Sequence, residues 1–209
     1  IWLIKAICCG GVFVENEALE KMYKLEKELE MLKRELRQYK ERDILTGLYN
    51  RMAFQKKMED YLKGKRQFKT QTAALLMLDI DNFKQINDAL GHMQGDHVLQ
   101  KTADILRSTF DTEAVIARFG GDEFTVLAAA CSKQAVCSLA QSLCDQLNHI
   151  CLNGGAACFV AASVGIAFLC PGDSAADFYT YYKQADQALY KAKKKGKNTY
   201  AMYCNGKTA

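Results

Sequence analysis

The stretch from Thr72 to Ile80 is a near-continuous apolar run, Ala73, Ala74, Leu75, Leu76, Met77 and Leu78, closed by Asp79-Ile80-Asp81. A strand that does not alternate apolar with polar residues has no face to offer water, so this one is expected at the centre of a sheet covered on both sides. Asp79 and Asp81 stand two apart, a spacing that turns both side chains the same way along a strand. Two carboxylates held together repel, and a matching cation relieves the cost. Asp81 also has a plainer role open to it, as the N-cap of a helix over Phe83 to Leu90.

The rest of the chain must supply partners and cover for that strand. Its 209 residues are 49% apolar and 25% charged, enough for a packed core and an appendage, and they exclude a disordered chain. A single proline and 14 glycines favour long elements with short connections. The formal charge of +4 is small and gathers late, at Lys191, Lys193, Lys194, Lys195 and Lys197. That run suits either a local anion site or a solvated helix end, and no nucleic-acid partner is expected. Nine cysteines without any Cys-x-x-Cys pair indicate neither a disulfide framework nor a zinc site. Cys137, Cys144 and Cys151 recur every seven residues beside leucines, as buried thiols on one helix face would, which fits a reducing cytosol.

Arg118 to Phe124 reads Arg-Phe-Gly-Gly-Asp-Glu-Phe between Ala114–Ala117 and Thr125–Leu127, so two strands flank a Gly-Gly step. That is a hairpin signal, and glycines there let a ligand approach the main chain beside the adjacent carboxylates Asp122 and Glu123. An ordinary solvated turn has the same look. Around these pieces we expect a helix from Asn50, its N-cap, to about Leu62 and a loop over Lys63–Thr72. Beyond the central strand come a glycine-bracketed turn over Gly91–Asp96 and helices over His97–Thr109, Ser132–Ile150 and Ala175–Lys195. Strands are expected over Cys158–Leu169 and Thr199–Tyr203. The order strand, helix, helix, strand, strand, helix, strand, helix, strand gives an α+β fold, a mainly antiparallel central sheet flanked by helices.

Ahead of this, residues 1–14 are apolar but shorter than the ~20 needed to cross a bilayer, and they lack the marks of a signal peptide. They are expected to be the end of a membrane helix or a strand of an upstream domain. Residues 15–42 then turn to Glu, Lys, Arg, Leu and Met, with Ala18, Met22, Leu25, Leu29, Leu32, Leu36 and Tyr39 alternately four and three apart. This is a heptad seam. With Met22, Leu29 and Leu36 at a, the g and e positions pair Lys21 with Glu26, Glu28 with Lys33 and Glu35 with Lys40 across a parallel dimer, each exposed pair contributing about 0.2–1 kcal/mol. A single helix with its seam packed on the globular part is the alternative.

Taken together, these motifs resemble the GGDEF-domain diguanylate cyclases, named for the sequence at Gly120 to Phe124. Asp43–Arg51 is similar to the family's opening motif, Asp79–Asp88 to its first strand and phosphate turn, Gly91–Asp96 to its guanine loop and Lys191–Asn198 to its late basic segment. The resemblance covers about Asp43 to Tyr203 and keeps the family's order. It implies a nucleotide-cyclase or palm-like sheet in residues 43–205, behind a coiled-coil signalling helix.

Residue by residue, the resemblance implies that Asp79, the Ile80 main chain, Asp122 and Glu123 hold Mg²⁺ or Mn²⁺ against GTP. The resemblance also offers Glu123 as a candidate proton acceptor. Asn82, Phe83 and Lys84 would cradle phosphate, Lys193 and Lys197 would reach the terminal phosphates, and Gly120 and Gly121 would let GTP approach. Asn87 and Asp96 would read guanine, because a carboxylate accepts from N1 and N2 hydrogens that adenine does not present together. Asp122, Glu123 and Lys84 are the implied catalytic set. Arg118 is expected to orient a site carboxylate or a dimer partner, and His92 to be structural.

The implied reaction joins two GTP molecules into cyclic di-GMP and two pyrophosphates across a homodimer formed by coiled coil and catalytic face. An upstream sensor would control it, the location would be cytoplasmic, and any membrane link would lie only at the N-terminal end. One position departs from the family. Asp111 and Ala114 stand where many members carry Arg-x-x-Asp, so product inhibition through that site is not expected. Competing readings are a catalytically inactive GTP-binding signalling module, a cyclase joining GTP with ATP, and another palm-type nucleotide enzyme.

Overall fold

The computed structural model describes residues 13–64, 72–130, 132–150, 159–169 and 177–204, without the side chains of 13–18, 37, 38 and 130. Expectations for the apolar start, most of the 63–72 loop, the Ala18 side chain, Cys151, Cys158 and the stretch from Ala175 fall outside those residues. The chain divides into two compact units, residues 1–40 and 41–209.

In the first unit, helix α1 (Phe13–Glu41) carries the heptads. Met22, Leu25, Leu29, Leu32, Leu36 and Tyr39 are all more than half exposed, so the apolar stripe is open along its described length. Lys33 here pairs with Glu30 of its own helix at 3.2 Å, rather than being held for a partner. Among the described residues no helix is long and apolar enough to cross a membrane.

The second unit is a six-stranded mixed sheet in the order β1-β3-β4-β2-β5-β6. Its strands are β1 (Tyr49–Asn50), β2 (Thr72–Ile80), β3 (Val115–Gly120), β4 (Glu123–Ala130), β5 (Ala162–Leu169) and β6 (Tyr200–Met202). β2 lies inside the sheet between antiparallel β4 and β5, as its unbroken apolar run requires, and β3 pairs antiparallel with β4. The edges are parallel, β1 on β3 and β6 on β5. The expected α+β sheet is therefore present, with a two-residue edge strand, β1, that the sequence reading did not include.

Parity divides the core. Ala74, Leu76, Leu78 and Ile80 point to the side covered by α3 (Phe83–Leu90), α4 (His92–Thr109) and α5 (Lys133–Leu147). Ala73, Leu75 and Met77 point to the side covered by α2 (Arg51–Leu62) and α6 (Phe178–Lys194). Asn50 does cap α2, accepting from the Ala53 N–H at 3.0 Å. α5 is capped by Ser132 and α6 by Asp177. Cys137 and Cys144 are buried on α5 as expected, and burial pushes the Cys144 thiol up to about 12, while Cys204 is exposed.

Two local expectations are corrected. Gly91–Asp96 is not a turn: only Gly91 breaks the chain, with φ +84°, and His92–Asp96 is the start of α4. Asp81 does not cap α3. That position is taken by Asn82 in a left-handed conformation, and its side chain makes no capping bond.

Candidate active site

The same parity that sorts the core places the first site residue. Asp79 follows Ala73, Leu75 and Met77 onto the α6 side, and the β2–β4 register sets Glu123 directly opposite it. On β5 the corresponding position is Ser163, followed two residues later by Gly165 opposite Met77. Gly165 is what lets α6 come close: a Cβ there would lie 2.1 Å from the Ala185 carbonyl oxygen and 2.3 Å from the Leu189 nitrogen. Along α6, Lys193 then meets the strand end, its Nζ 2.8 Å from Asp79 Oδ1.

The β3–β4 hairpin closes through Gly121 and Asp122, with Gly120 at φ +151° and Gly121 at +53°, values that L side chains rarely adopt. The Ile80 N–H donates to the Asp122 carbonyl at 3.3 Å, so the tip is stitched to the end of β2. Arg118 grips the turn from behind, Nε and Nη2 donating to the Gly121 carbonyl at 2.9 and 2.7 Å, while Nη1 pairs with Asp43 at 3.2 Å. Asp43 in turn accepts from the Thr46 N–H at 2.9 Å and hydroxyl at 2.6 Å. Phe119, at the irregular point of β3, packs edge-on against Phe54 and stacks on Tyr182 with ring centres 5.3 and 5.8 Å away. Gly120 and Gly121 leave the turn's outer side open.

Beside the strand end lies a basic corner. α3 starts with no side-chain cap, which leaves the amides at its N-terminus facing outward, where a helix favours anions. Lys197 Nζ donates to Asn82 Oδ1 at 2.7 Å, joining the loop after α6 to that turn. Phe83 is half-buried and Lys84 is exposed in the first turn. Further along, Asn87 lies against Gly95, where a Cβ would meet its Oδ1 at 1.9 Å, and Asp96 follows on the exposed face of α4. Asn87 and the start of α4 are thus adjacent.

Electrostatically the strand end is strained. Burial pushes the Asp79 carboxyl above its ordinary range, and Asp122 and Asp81 add to this against the opposing pull of Lys193. Burial also raises Glu123, with Asp79, Asp122 and Asp186 in the same direction and Lys193 against it. Among the described residues no three His, Cys, Asp or Glu side chains converge as a closed metal cage. The donor set nonetheless fits a hard cation that takes one or two carboxylates and completes its shell with phosphate and water, as Mg²⁺ does. A carboxylate wall beside a lysine corner is suited to holding a polyphosphate and a divalent ion together.

A family model described as diguanylate cyclase, GGDEF domain, matches residues 40–199. The chain belongs to the GGDEF family. Its GGDEF domain is 36% identical over 166 residues to the probable diguanylate cyclase DgcC of Escherichia coli (strain K12), covering 79% of this chain and 44% of that protein. It is likewise 36% identical over 168 residues to the cyclic di-GMP phosphodiesterase NbdA of Pseudomonas aeruginosa, covering 80% of this chain and 21% of that protein. The chain thus spans less than half the length of either. Among solved structures, the coiled coil and GGDEF domain of DgcB from Caulobacter crescentus, in complex with c-di-GMP, superimposes with a TM-score of 0.78 at 26% identity over 90% of this chain and 98% of that one.

Within this GGDEF domain the structure brings Asp79, Ile80, Asp122, Glu123 and Lys193 to one strand end, and Asn82, Phe83, Lys84 and Lys197 to the corner beside it. Asn87 and Asp96 stand further along α3 and α4. Sequence reasoning missed the Asp43–Arg118 tie and the burial of Asp81. Asp43 carried a signal, since Asp followed three residues later by Thr is a side-chain turn pattern. Ser163 carried another, as the one hydroxyl in an otherwise apolar run from Ala161 to Leu169.

Proposed function

We propose that the chain is the cyclase part of a diguanylate cyclase, condensing two GTP into cyclic di-GMP and two pyrophosphates. The observation that carries this reading is the register that sets Asp79 opposite Glu123 with Lys193 at 2.8 Å from Asp79. In each of two equivalent steps the 3′-hydroxyl oxygen of one GTP forms a bond to the α-phosphorus of the other. The bond from that phosphorus to the pyrophosphate oxygen breaks, and the hydroxyl proton passes to a base. Glu123, a carboxyl raised above its ordinary range, is suited to accept it.

Asp79, Asp122, Glu123 and the Ile80 carbonyl would hold Mg²⁺ or Mn²⁺, which when bound neutralises phosphate charge and polarises the α-phosphate. Lys193 and Lys197 bind the terminal phosphates, the α3 start and Lys84 hold the inner ones, and Asn87 with Asp96 selects guanine. One domain places one GTP, so the reaction needs a second copy face to face. The open heptad stripe of α1 supports a parallel homodimer that raises the effective concentration of the two domains and passes on the state of an upstream sensor. GTP as substrate implies a cytoplasmic site of action.

The likeness to part of a phosphodiesterase favours a second reading, a GTP-binding module without catalysis. Incubation with Mg²⁺ and GTP followed by mass identification of the product separates the two. Cyclic di-GMP is expected, and Glu123→Gln should greatly reduce it while leaving the melting curve intact. Wild-type protein that binds GTP yet forms no product at any concentration would establish the second reading instead.

A further inference from the structure

Asp81 is a carboxylate for which the proposed chemistry has no use. It is 4% exposed, whereas Glu123 faces the open side of the site. Its oxygens are occupied by the Ser163 hydroxyl at 2.9 and 3.1 Å and by the Asn198 N–H at 3.0 Å, and its own N–H donates to the Ala161 carbonyl at 2.8 Å. A buried charge is tolerated when hydrogen-bonded in this way, and it then fixes its donors in place.

What it fixes is unusual. Among the described residues the non-glycine positions with left-handed backbone are Asn82 at φ 59°, Lys197 at 65° and Asn198 at 47°. All three meet at this junction, Asn198 through its bond to Asp81, and Lys197 and Asn82 through their own at 2.7 Å. Such conformations cost energy at each residue and persist only where the surroundings impose them, commonly at functional sites.

We infer that Asp81 is a positioning residue that clamps the 196–198 loop to the phosphate turn and so presents Lys197 to the terminal phosphates of the nucleotide. The inference rests on the proposed function for the identity of that nucleotide. A lysine on a loose loop loses chain entropy on meeting phosphate, whereas one whose backbone is already held loses only that of its side chain. Asp81 acts on binding through Lys197 without touching the ligand. Ser163 supports it from β5.

The test uses the full 209-residue chain and calorimetric titration with 3′-deoxyGTP, which lacks the attacking hydroxyl, and with GMP, which lacks the terminal phosphates. Asp81→Asn is expected to weaken 3′-deoxyGTP about tenfold, the scale of one lost charge-assisted bond, and to leave GMP unchanged. Lys197→Met should lose a similar factor. The double variant should lose little more, because both act on one contact. Equal weakening of both ligands would show a merely structural role and overturn the inference, as would additive losses or none. Should Asp81→Asn fail to fold, Ser163→Ala decides, with a loss of about threefold confined to 3′-deoxyGTP expected, and no loss or a loss on both ligands overturning it. Wild-type protein that does not bind 3′-deoxyGTP would sink the proposed function itself.

Discussion

Asp43→Asn isolates the charge that holds the hairpin from behind. The substitution keeps the side chain's size and the Oδ1 acceptor that Thr46 and Arg118 share, but it removes the negative charge and puts an amide nitrogen in place of Oδ2, 3.4 Å from Arg118 Nη1. A hydrogen bond to a charged group contributes about 1.5–3 kcal/mol when well shielded. The Arg118–Asp43 side chains are 13% and 24% exposed, so solvent screening brings the expected loss to about 1–2 kcal/mol. For a domain of this size that is a fall of about 2–8 °C in melting temperature.

The pH dependence makes the prediction sharper. Burial pushes the Asp43 carboxyl up, but the Thr46 hydroxyl and N–H and the Arg118 guanidinium outweigh it and hold the group below its ordinary value of 3.8. As acid is added the unfolded chain therefore takes up this proton first. The stability that Asp43 contributes is full above 3.8 and drains away as pH falls through the lower, folded value. Asparagine has no such proton, so urea titrations of the two proteins should show a gap at neutral pH that closes in acid. A gap that is absent at neutral pH, or that stays constant into acid, would refute the ion-pair account.

Gly165→Ala would place a Cβ 2.1 Å from backbone, so it should cost about 1–3 kcal/mol or more in denaturant melts and, by lifting α6 and Lys193 from Asp79, lower the cyclase rate. Gly95→Ala meets side chains rather than backbone, the Asn87 amide at 1.9 Å and the edge of the Phe83 ring at 3.3 Å, so it should raise the KM for GTP severalfold with less than about 1 kcal/mol of stability lost. Leu29→Ser with Leu36→Ser should yield monomers in sedimentation and a rate rising steeply with protein concentration. Asp111 Oδ1 is bonded to the Glu113 and Ala114 N–H groups at 3.0 and 2.9 Å, so added cyclic di-GMP should not inhibit through this segment. Potent inhibition abolished by Asp111→Ala would contradict that.

The sheet was legible because its signals are local. β2 is apolar without a break from Ala73 to Leu78, and caps such as Asn50 stand where their helices begin. Motif order singled out Asp79, Asp122 and Glu123, and the strand register brings these three to one strand end. What sequence did not reveal depends on contacts between distant residues: Asp81 meets Asn198 117 positions away, and Arg118 meets Asp43 75 positions away. The Gly91–Asp96 misreading has a local cause, since two glycines four apart suggest a turn, whereas Gly95 is glycine because Asn87 packs against it.

On the proposed reading, ligand binding is an exchange of partners. Lys193 is held by Asp79 at 2.8 Å and Lys197 by Asn82 at 2.7 Å, so both cations are already placed, yet each must leave a protein oxygen to meet a phosphate. Releasing Lys193 alone would strand Asp79 beside Asp122 and Glu123, where burial and the neighbouring carboxylates already push the Asp79 and Glu123 carboxyls upward. Asp79 would be relieved of that penalty if it held a divalent cation bound together with the phosphates, leaving Lys193 free to turn to the nucleotide. Cation and GTP should therefore bind with positive coupling, each raising the other's affinity by the same factor. In Lys193→Met, where no lysine need be displaced, the cation alone should bind more tightly and the coupling should shrink.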